Sequence, residues 1–256
     1  MHISLAADKV FELGGLPITN TMITVWVVMA MVLVGAYLVG RNIQSVPRGM
    51  QNVAELILEG LYNYYNSVFQ DKKKTKKYFA LLTSFFLIIV IGNWTGILIE
   101  LFPIYVQAPL AHKSHEVHLL RGINTDLNVT LSWALISVGL VQFFGVSSLG
   151  FFNYFSKFIN LKGPIDFFVG IIEIISELSR IVTFSFRLFG NILGGGIVLL
   201  IISEMTSSFK VSGVNLPLFG TPIPFYGLEL FVGFIQALIF TTLTLVFIKM
   251  ATEEHH

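Results

Sequence analysis

The sequence predicts an all-α integral membrane protein with five membrane-crossing helices and one amphipathic helix at the membrane interface. Three observations predict this fold class. Hydrophobic residues make up 54% of the 256 residues and charged residues only 12%, whereas soluble domains carry about 25% charged residues. Several apolar stretches reach the ~20 residues that a helix needs to cross a bilayer. Basic residues gather in alternate connections, which gives the chain an orientation in the membrane.

The chain is predicted to form a single membrane domain, 1–256. Residues 1–18 are a mixed outer segment without the pattern of a signal peptide. The last two crossing helices are long enough to require tilting, since 164–207 would measure about 66 Å as one helix against a hydrocarbon core of ~30 Å. Crossing helices are predicted at 19–39, 78–101, 128–154, 164–207 and 223–252.

Residues 46–70 have a different pattern. Apolar side chains recur at steps of three and four residues, with acidic and amide side chains mostly on the other face. This periodicity is typical of a helix that lies in the membrane interface. The five lysines that follow, within 72–77, indicate a cytoplasmic loop in preference to a lipid-headgroup site.

The distribution of basic residues predicts that the N-terminus is outside and the C-terminus is cytoplasmic. On the outer side lie Lys9, Lys113, Arg121 and Lys210. On the cytoplasmic side lie Arg41, Arg48, the five lysines of 72–77, Lys157, Lys162 and Lys249.

One polar stripe crosses the apolar segment 164–207. It consists of Glu173, Glu177, Arg180, Arg187 and Asn191, at steps that keep them on one face of a helix. Arg180 has acids three and seven residues back, so pairing within its own helix and a functional role are equally plausible. No acid lies within four residues of Arg187, whose guanidinium stays charged at physiological pH. Its counter-charge is therefore expected from another helix or another chain, because a charged side chain in lipid is costly.

The last helix carries a second pair of polar residues. Glu229 and Gln236 are seven residues apart on one face of an otherwise apolar segment. Glu229 either forms a static bridge to an arginine or acts in a relay, since buried carboxyl groups can hold and release protons near neutral pH.

Several functional classes are disfavoured. The net charge is only +1 and no extended basic face is present, which argues against binding of nucleic acid. The sequence has no cysteine, so disulfides and thiolate metal sites are excluded. No glycine loop with a lysine is present for a nucleotide phosphate, so nucleotide hydrolysis is not expected. No cofactor is expected either. His112, His115 and His118 share a loop, but a metal site there is disfavoured without a fixed scaffold.

The sequence from Arg187 to Asn191 reads RLFGN, and 233–256 reads GFIQALIFTTLTLVFIKMATEEHH. With DLNVTLSWAL (126–135) and VPRGMQNVAELILE (46–59), these motifs resemble subunit a of the F-type ATP synthase across most of the chain. The resemblance implies a stator subunit that conducts ions but has no catalytic activity of its own. Arg187 would face a carboxylate of the rotating c-ring, between two offset aqueous half-channels.

The resemblance also implies roles for individual residues and partners. Partners would be the c-ring, the b-type subunits of the peripheral stalk, membrane lipid, and protons, with sodium as the alternative ion. The expected membrane is the bacterial plasma (inner) membrane. Outer half-channel positions would be Glu229, Asn191, Gln236, Asn93 and Asp126; inner positions would be Glu173, Ser176, Ser179, Glu177 and Arg180; close-packing positions would be Gly190, Gly194, Gly195 and Gly196.

The sequence departs from one pattern of this family at two positions. Gly196 stands where some members have glutamate, and Glu229 stands where those members have histidine. The outer path would keep a carboxylate, but on a different helix. The glycines could equally serve packing within this chain. The competing classes are a self-contained secondary transporter or channel, although no repeat relates the two halves, and a structural scaffold.

Overall fold

The structure is a computed structural model that describes residues 7–41, 43–102, 104–110, 113–156, 158, 163–207, 210–211, 214–215 and 222–253. Five helices within these ranges are long and apolar enough to cross a membrane, which confirms the predicted fold class. The elements in order are β1 (Lys9–Leu13), β2 (Leu16–Thr19), α1 (Asn20–Gly40), α2 (Met50–Phe69), α3 (Lys72–Leu101), β3 (Tyr105–Leu110), β4 (Lys113–His118), a 3₁₀ turn (Ile123–Thr125), α4 (Leu127–Leu149), α5 (Phe151–Ser156), α6 (Pro164–Ser207), β5 (Lys210–Val211), β6 (Val214–Asn215) and α7 (Pro222–Thr252).

The chain divides into two compact units, and the single membrane domain expected from the sequence stays a prediction. Helices α3, α6 and α7 each contribute residues to both units. Unit 1 comprises Met1–Ile43, Leu87–Leu127 and Leu188–Leu238, and unit 2 comprises Gln44–Phe86, Asn128–Arg187 and Ile239–His256.

Unit 1 contains an antiparallel hairpin of β1 and β2, most of it within 1–18, where the sequence predicts only a mixed outer segment. Gly14 and Gly15 turn the chain between β1 and β2 with φ values of 59° and 86°, which glycine adopts without steric cost. Thr19 then caps α1, because its hydroxyl accepts a hydrogen bond of 3.3 Å from the backbone nitrogen of Met22. Strands β3 and β4 form a second antiparallel pair after α3.

The 3₁₀ turn of unit 1 packs closely on α3. Ile123 and Asn124 are 1% exposed. A methyl group at Gly92 would collide with the Ile123 side chain, and one at Gly96 would lie 3.2 Å from the Cα of Gly122. These two glycines let the turn approach the helix and place Asn124 beside the polar residues of α3.

In unit 2, α2 and α3 begin at different residues from those predicted. Helix α2 begins at Met50, within the predicted 46–70. The residue before it, Gly49, has φ of 58°, which is not helical, so the helix does not extend further towards residue 46. Gln51 braces this start by hydrogen bonding both backbone groups of Gln44. Helix α3 begins at Lys72, six residues before the predicted 78, because the Asp71 carboxylate accepts a 2.8 Å bond from the Lys73 nitrogen.

The predicted helix 128–154 is divided in the structure. Helix α4 ends at Leu149 and α5 begins at Phe151, with Gly150 between them at φ of 81°. After this reversal, Tyr154 lies against Gly145, and its hydroxyl donates a 2.5 Å bond to Oε1 of Gln142. The turn therefore folds α5 back along the end of α4.

The interior of unit 2 combines aromatic rings with paired hydroxyl groups. Phe240 of α7 contacts the rings of Phe85 and Phe184 at centroid distances of 5.9 and 5.1 Å. Ser137 and Thr244 share a hydrogen bond of 2.8 Å between α4 and α7. Because buried hydroxyls need partners, such pairs fix the helices against one another in lipid.

Candidate functional site

Helix α6 carries the predicted central residue, Arg187. The helix is continuous over 44 residues. The Arg187 side chain is half-buried, and Leu188 beside it is fully buried. Thr183 and Gly190, four residues before and three after, lie on the Arg187 side of the helix and are exposed. Arg187 therefore stands at the edge of an exposed face of α6.

The Arg187 guanidinium makes no hydrogen bond or ion pair with any other residue that the structure describes. A guanidinium has five donors and a permanent charge, so half-burial without an acceptor is unfavourable. The arrangement leaves this charge available to an acid that the described chain does not supply.

Arg180, seven residues earlier on α6, is in a different situation. Its Nη1 lies 2.8 Å from Oε1 of Glu177, and its guanidinium carbon lies 4.2 Å from the centre of the Phe247 ring. The two side chains of the ion pair are 20% and 11% exposed. Of the two interpretations left open by the sequence, the structure contains the pairing within the helix.

The other predicted inner positions also lie on α6 in unit 2. Glu173 and Ser176 are half-buried, and Ser179 is exposed. Ser179 lines a shallow apolar depression with Ile175 and Val182 on the exposed face of the helix. The inner set thus runs from the buried Glu177 to the exposed face, and its role remains a prediction.

The predicted outer positions all belong to unit 1, and two of them join α6 to α7. The amide nitrogen of Asn191 donates a 2.7 Å hydrogen bond to Oε1 of Gln236. Gln236 is 2% exposed, and its Nε2 is buried without a partner in the described chain. A buried amide donor without an acceptor is unusual, and it marks a place that a water or another polar group can fill.

Glu229 lies two turns before Gln236 on α7. It is 7% exposed, and its Oε2 is buried without a hydrogen-bond partner among the described residues. Its Oε1 lies 3.0 Å from the position that a Cβ of Gly195 would occupy. The static bridge from Glu229 to an arginine is absent from the part of the chain that the structure describes.

Asn93 is held by two hydrogen bonds. Its Nδ2 donates to the Gly233 carbonyl oxygen at 2.9 Å, and its Oδ1 accepts from Asn124 at 2.6 Å. These bonds tie α3 to α7 and to the 3₁₀ turn, so Asn93 has a clear structural function. Asp126, the other weaker candidate, is 6% exposed at the start of α4.

The four candidate close-packing glycines separate into two pairs. A methyl group at Gly190 or Gly194 would meet no atom of the described residues within 4 Å, so their side of α6 is open in this part of the structure. At Gly195 and Gly196 a methyl group would instead meet carboxylates of this chain, from Glu229 and Glu100. Packing within the chain therefore accounts for the second pair only.

Sequence reasoning missed two polar residues of unit 1, Glu100 and Asn124. Glu100 ends an apolar helix as its only acid, a signal that could have found it. Asn124 lies in a loop, and only the packing of the 3₁₀ turn reveals its contact with Asn93. Of the residues used to predict orientation, Lys157 and Lys162 lie outside the described part of the chain, as does His112.

Comparison with known proteins gives a consistent result. The family model described as the ATP synthase A chain matches residues 22–249. ATP synthase subunit a of Campylobacter jejuni subsp. doylei is 36% identical over 220 residues, covering 85% of this chain and 83% of the relative. The subunit a of Moorella thermoacetica is 30% identical over 247 residues, covering 96% and 97%. That of Campylobacter concisus is 32% identical over 233 residues, covering 89% and 88%.

Proposed function

Since this chain belongs to the ATP synthase A chain family, we propose that it is the stator subunit of the membrane sector of an F-type ATP synthase. It has two offset proton half-channels and couples ion flow to the rotation of a ring of partner subunits. The observation that carries the proposal is the Arg187 guanidinium, which is half-buried on an apolar helix without an acid from the described chain.

The proposal follows from the chemistry of that guanidinium. It remains protonated at physiological pH, so it attracts a carboxylate but does not carry the proton itself. A carboxylate on a moving partner is protonated where it faces lipid and ionised where it faces Arg187, because the fixed charge stabilises the anion. Arg187 thereby also prevents protons from passing straight between the two half-channels.

Two sets of polar residues are the evidence for the two proposed half-channels. The outer set lies in unit 1, around Glu229, Asn191 and Gln236, and contains unpartnered buried atoms. The inner set lies in unit 2, from Glu173 to Arg180. Each proton that crosses 100 mV releases ~2.3 kcal/mol, and several such steps supply the free energy for rotation.

The exposed face of α6 near Arg187 is evidence that a partner subunit binds there. Large apolar residues such as Leu178, Val182 and Phe186 are 54–60% exposed there, near the open Gly190 and Gly194. Small residues let another helix approach closely in a membrane. The proposed partners are the c-ring on this face and b-type subunits of the peripheral stalk.

The proposed location is the bacterial plasma membrane, with the N-terminus outside and the C-terminus in the cytoplasm. The lysines at the start of α3 support this orientation. They lie near the end of α7, where Lys74 Nζ is 3.7 Å from Glu253 and Lys249 donates to the Val68 carbonyl oxygen. The coupling ion is the proton, with sodium as the alternative.

The test is an Arg187→Ala variant in the assembled complex, reconstituted in vesicles. ATP synthesis driven by a proton gradient and passive proton leak are measured on the same vesicles. We expect ATP synthesis to be lost while proton leak persists or rises. The variant lacks the charge that couples proton flow to rotation and prevents protons from passing straight between the half-channels. Arg48→Ala, an exposed arginine before α2, serves as the matched control and retains synthesis.

Unchanged synthesis in Arg187→Ala would remove the central role from this residue. Transport of a solute by the chain reconstituted alone would favour the self-contained transporter instead. We expect the isolated chain to transport no solute when no ring that bears carboxylates is present.

A further inference from the structure

Five lysines lie at the start of α3, where the sequence predicts a loop. They are Lys72, Lys73, Lys74, Lys76 and Lys77. Because these residues are helical, each side chain has a fixed direction around the helix axis. All of them except Lys74 are exposed, and the exposed four lie within an arc of about 140°. We call this set of four side chains the lysine face.

The opposite side of the same helix is built into unit 2. Thr75 and Tyr78 are buried, and the Thr75 hydroxyl lies 3.3 Å from Oδ1 of Asn66 on α2. Lys74 is half-buried on this side, and its Nζ lies 3.7 Å from Glu253 at the end of α7. These contacts fix the rotation of α3, so the lysine face is held outward.

The lysine face carries four positive charges that no described acid balances. None of its lysines makes an ion pair with a residue that the structure describes. The nearest acid in the sequence, Asp71, accepts hydrogen bonds from the backbone nitrogens of Lys73 and Lys74 at 2.8 and 3.4 Å. Cations at the N-terminal end of a helix also oppose the helix dipole. An anion in front of these side chains would offset both unfavourable effects.

The lysine face lies directly before the apolar part of a candidate membrane span. Nζ of Lys77 lies 5.1 Å from the centre of the Tyr78 ring. Tyrosine rings favour the level of the lipid headgroups, and lysine side chains at the end of a span extend towards that level. Clusters of basic residues next to a span attract anionic lipids. The position of the face therefore matches that of lipid phosphate groups.

The surroundings favour lipid over an acidic protein segment as the partner. Helix α2, in the same unit, packs on α3 through the rings of Tyr62 and Phe79, whose centres are 5.4 Å apart. Earlier on α2, the apolar side chains of Val53, Leu56 and Ile57 are 44–72% exposed. A unit that exposes both apolar side chains and cations complements the acyl chains and phosphates of a phospholipid.

We propose that the lysine face binds the phosphate groups of anionic phospholipids at the membrane surface. The ammonium groups of the four lysines form the site, because Asp71 already occupies backbone nitrogens at this end of the helix. Binding is reversible and changes no covalent bond. It holds the start of α3 at a fixed depth in the membrane. The inference goes beyond the proposed function and does not depend on Arg187.

The test uses the assembled complex, with no cysteine in its other subunits, in phosphatidylcholine bilayers that contain phosphatidylglycerol. This chain has no cysteine, so Ala80→Cys provides one site for a fluorophore, exposed and one turn after the lysine face. Either lipid, carrying a nitroxide on its acyl chain near the headgroup, quenches that fluorophore. The ratio of the two quenching efficiencies measures the local preference for the anionic lipid.

We expect phosphatidylglycerol to be preferred by about tenfold or more, since each lysine near the surface contributes roughly fivefold. Changing all four lysines of the face to glutamine should bring the ratio close to one. Changing all four to arginine keeps the charge and should keep the preference. Added salt should lower the preference of the unaltered protein, because it screens exposed charges.

Single changes within the same run of lysines give the matched control. Lys76→Gln, on the lysine face, should lower the ratio by roughly two- to fivefold. Lys74→Gln, on the opposite side and paired with Glu253, should leave the ratio unchanged. If the fourfold glutamine variant does not assemble, this pair decides the question. Equal effects of the two single changes would contradict a site on one face.

Several outcomes overturn the inference. One is an unaltered protein without preference for phosphatidylglycerol, and another is a preference that survives the fourfold glutamine change. Loss of a partner subunit from that variant, with no lipid preference in the unaltered protein, assigns the face to an acidic protein segment. Reversed orientation of that variant, again with no lipid preference in the unaltered protein, shows that the lysines only direct insertion. Displacement of the lipid by millimolar inorganic phosphate assigns the site to free phosphate.

The Arg187→Ala variant separates this inference from the proposed function. It should keep the preference for phosphatidylglycerol while it loses ATP synthesis. Normal synthesis in Arg187→Ala contradicts the proposed function and leaves the lipid site standing.

Discussion

The amide nitrogen of Asn93 donates a 2.9 Å hydrogen bond to the backbone carbonyl oxygen of Gly233, although that carbonyl belongs to another helix, α7. The contact is close because Gly233 has no side chain: a Cβ there would lie 3.0 Å from the Cβ of Asn93. The next residue of α3, Trp94, donates from its indole nitrogen to the carbonyl oxygen of Leu230 at 3.0 Å. Leu230 lies about one helical turn before Gly233 on α7. Together these bonds hold α3 against α7 beside the candidate outer path.

This contact predicts that Gly233→Ala destabilises the protein. The added methyl group would press on the Asn93 Cβ, which cannot rotate away as a side-chain end can. We expect a loss of about 1–3 kcal/mol in the free energy of unfolding, typical of overpacking, measured as a lower unfolding temperature in detergent. Gly227→Ala is on the same helix, and no described atom lies within 4 Å of the added methyl group, so this change should leave that temperature unchanged. Equal effects of the two changes would contradict the proposed tight contact.

A second prediction concerns alkaline pH. Burial raises the pKa of Tyr65, on α2, to about 12. The hydroxyls of Thr241 and Thr83 lower this pKa, but the effect of burial is larger. The folded protein therefore keeps this proton between pH 10 and 12 while the unfolded chain loses it. Stability should fall by roughly 2–3 kcal/mol across that range from this group alone.

Tyr65→Phe removes the titrating group, so its stability should fall less between pH 10 and 12 than that of the unaltered protein. The measurement is the unfolding temperature at several pH values, compared as differences between variants. Tyr37→Phe, at a side chain that is 66% exposed, is the control. Parallel curves for the Tyr65→Phe variant and the unaltered protein would show that the tyrosine does not contribute.

The two arginines of α6 should respond differently to removal. Arg180→Ala removes the ion pair with the buried Glu177 carboxylate and uncovers the Phe247 ring, at a cost of about 3 kcal/mol or more. Arg187→Ala removes a charge that has no partner in the described chain, so the unfolding free energy of the isolated chain should change by less than about 0.5 kcal/mol or rise. Unfolding of the two variants in detergent checks this, and a larger loss for Arg187→Ala would reveal a partner within the chain.

The helices could be predicted from sequence because lipid demands long apolar segments and leaves few other solutions. The break at Gly150 could not, since a single glycine after an apolar run does not reveal a left-handed φ. The start of α3 at Lys72 was hidden by the lysines, whose charge suggested a loop although Asp71 caps a helix there.

The candidate site was predictable in part for a related reason. Polar residues in apolar helices, such as Glu229 and Gln236, stand out in the sequence. Their partners do not, because contacts between distant segments depend on packing. Glu100 became interesting only when its carboxylate was found beside Gly196, and Asn93 gained a structural function only through Gly233 and Asn124.

The lack of an in-chain acid for Arg187 among the described residues also bears on biogenesis. A newly inserted copy would present a lone cation and bare glycines to lipid until a neighbour covered them, and that state is energetically poor. We therefore expect cells to supply the neighbour first, or to shield the newcomer with an insertion factor. Copies made in excess should be short-lived, degraded by membrane proteases that recognise unassembled helices.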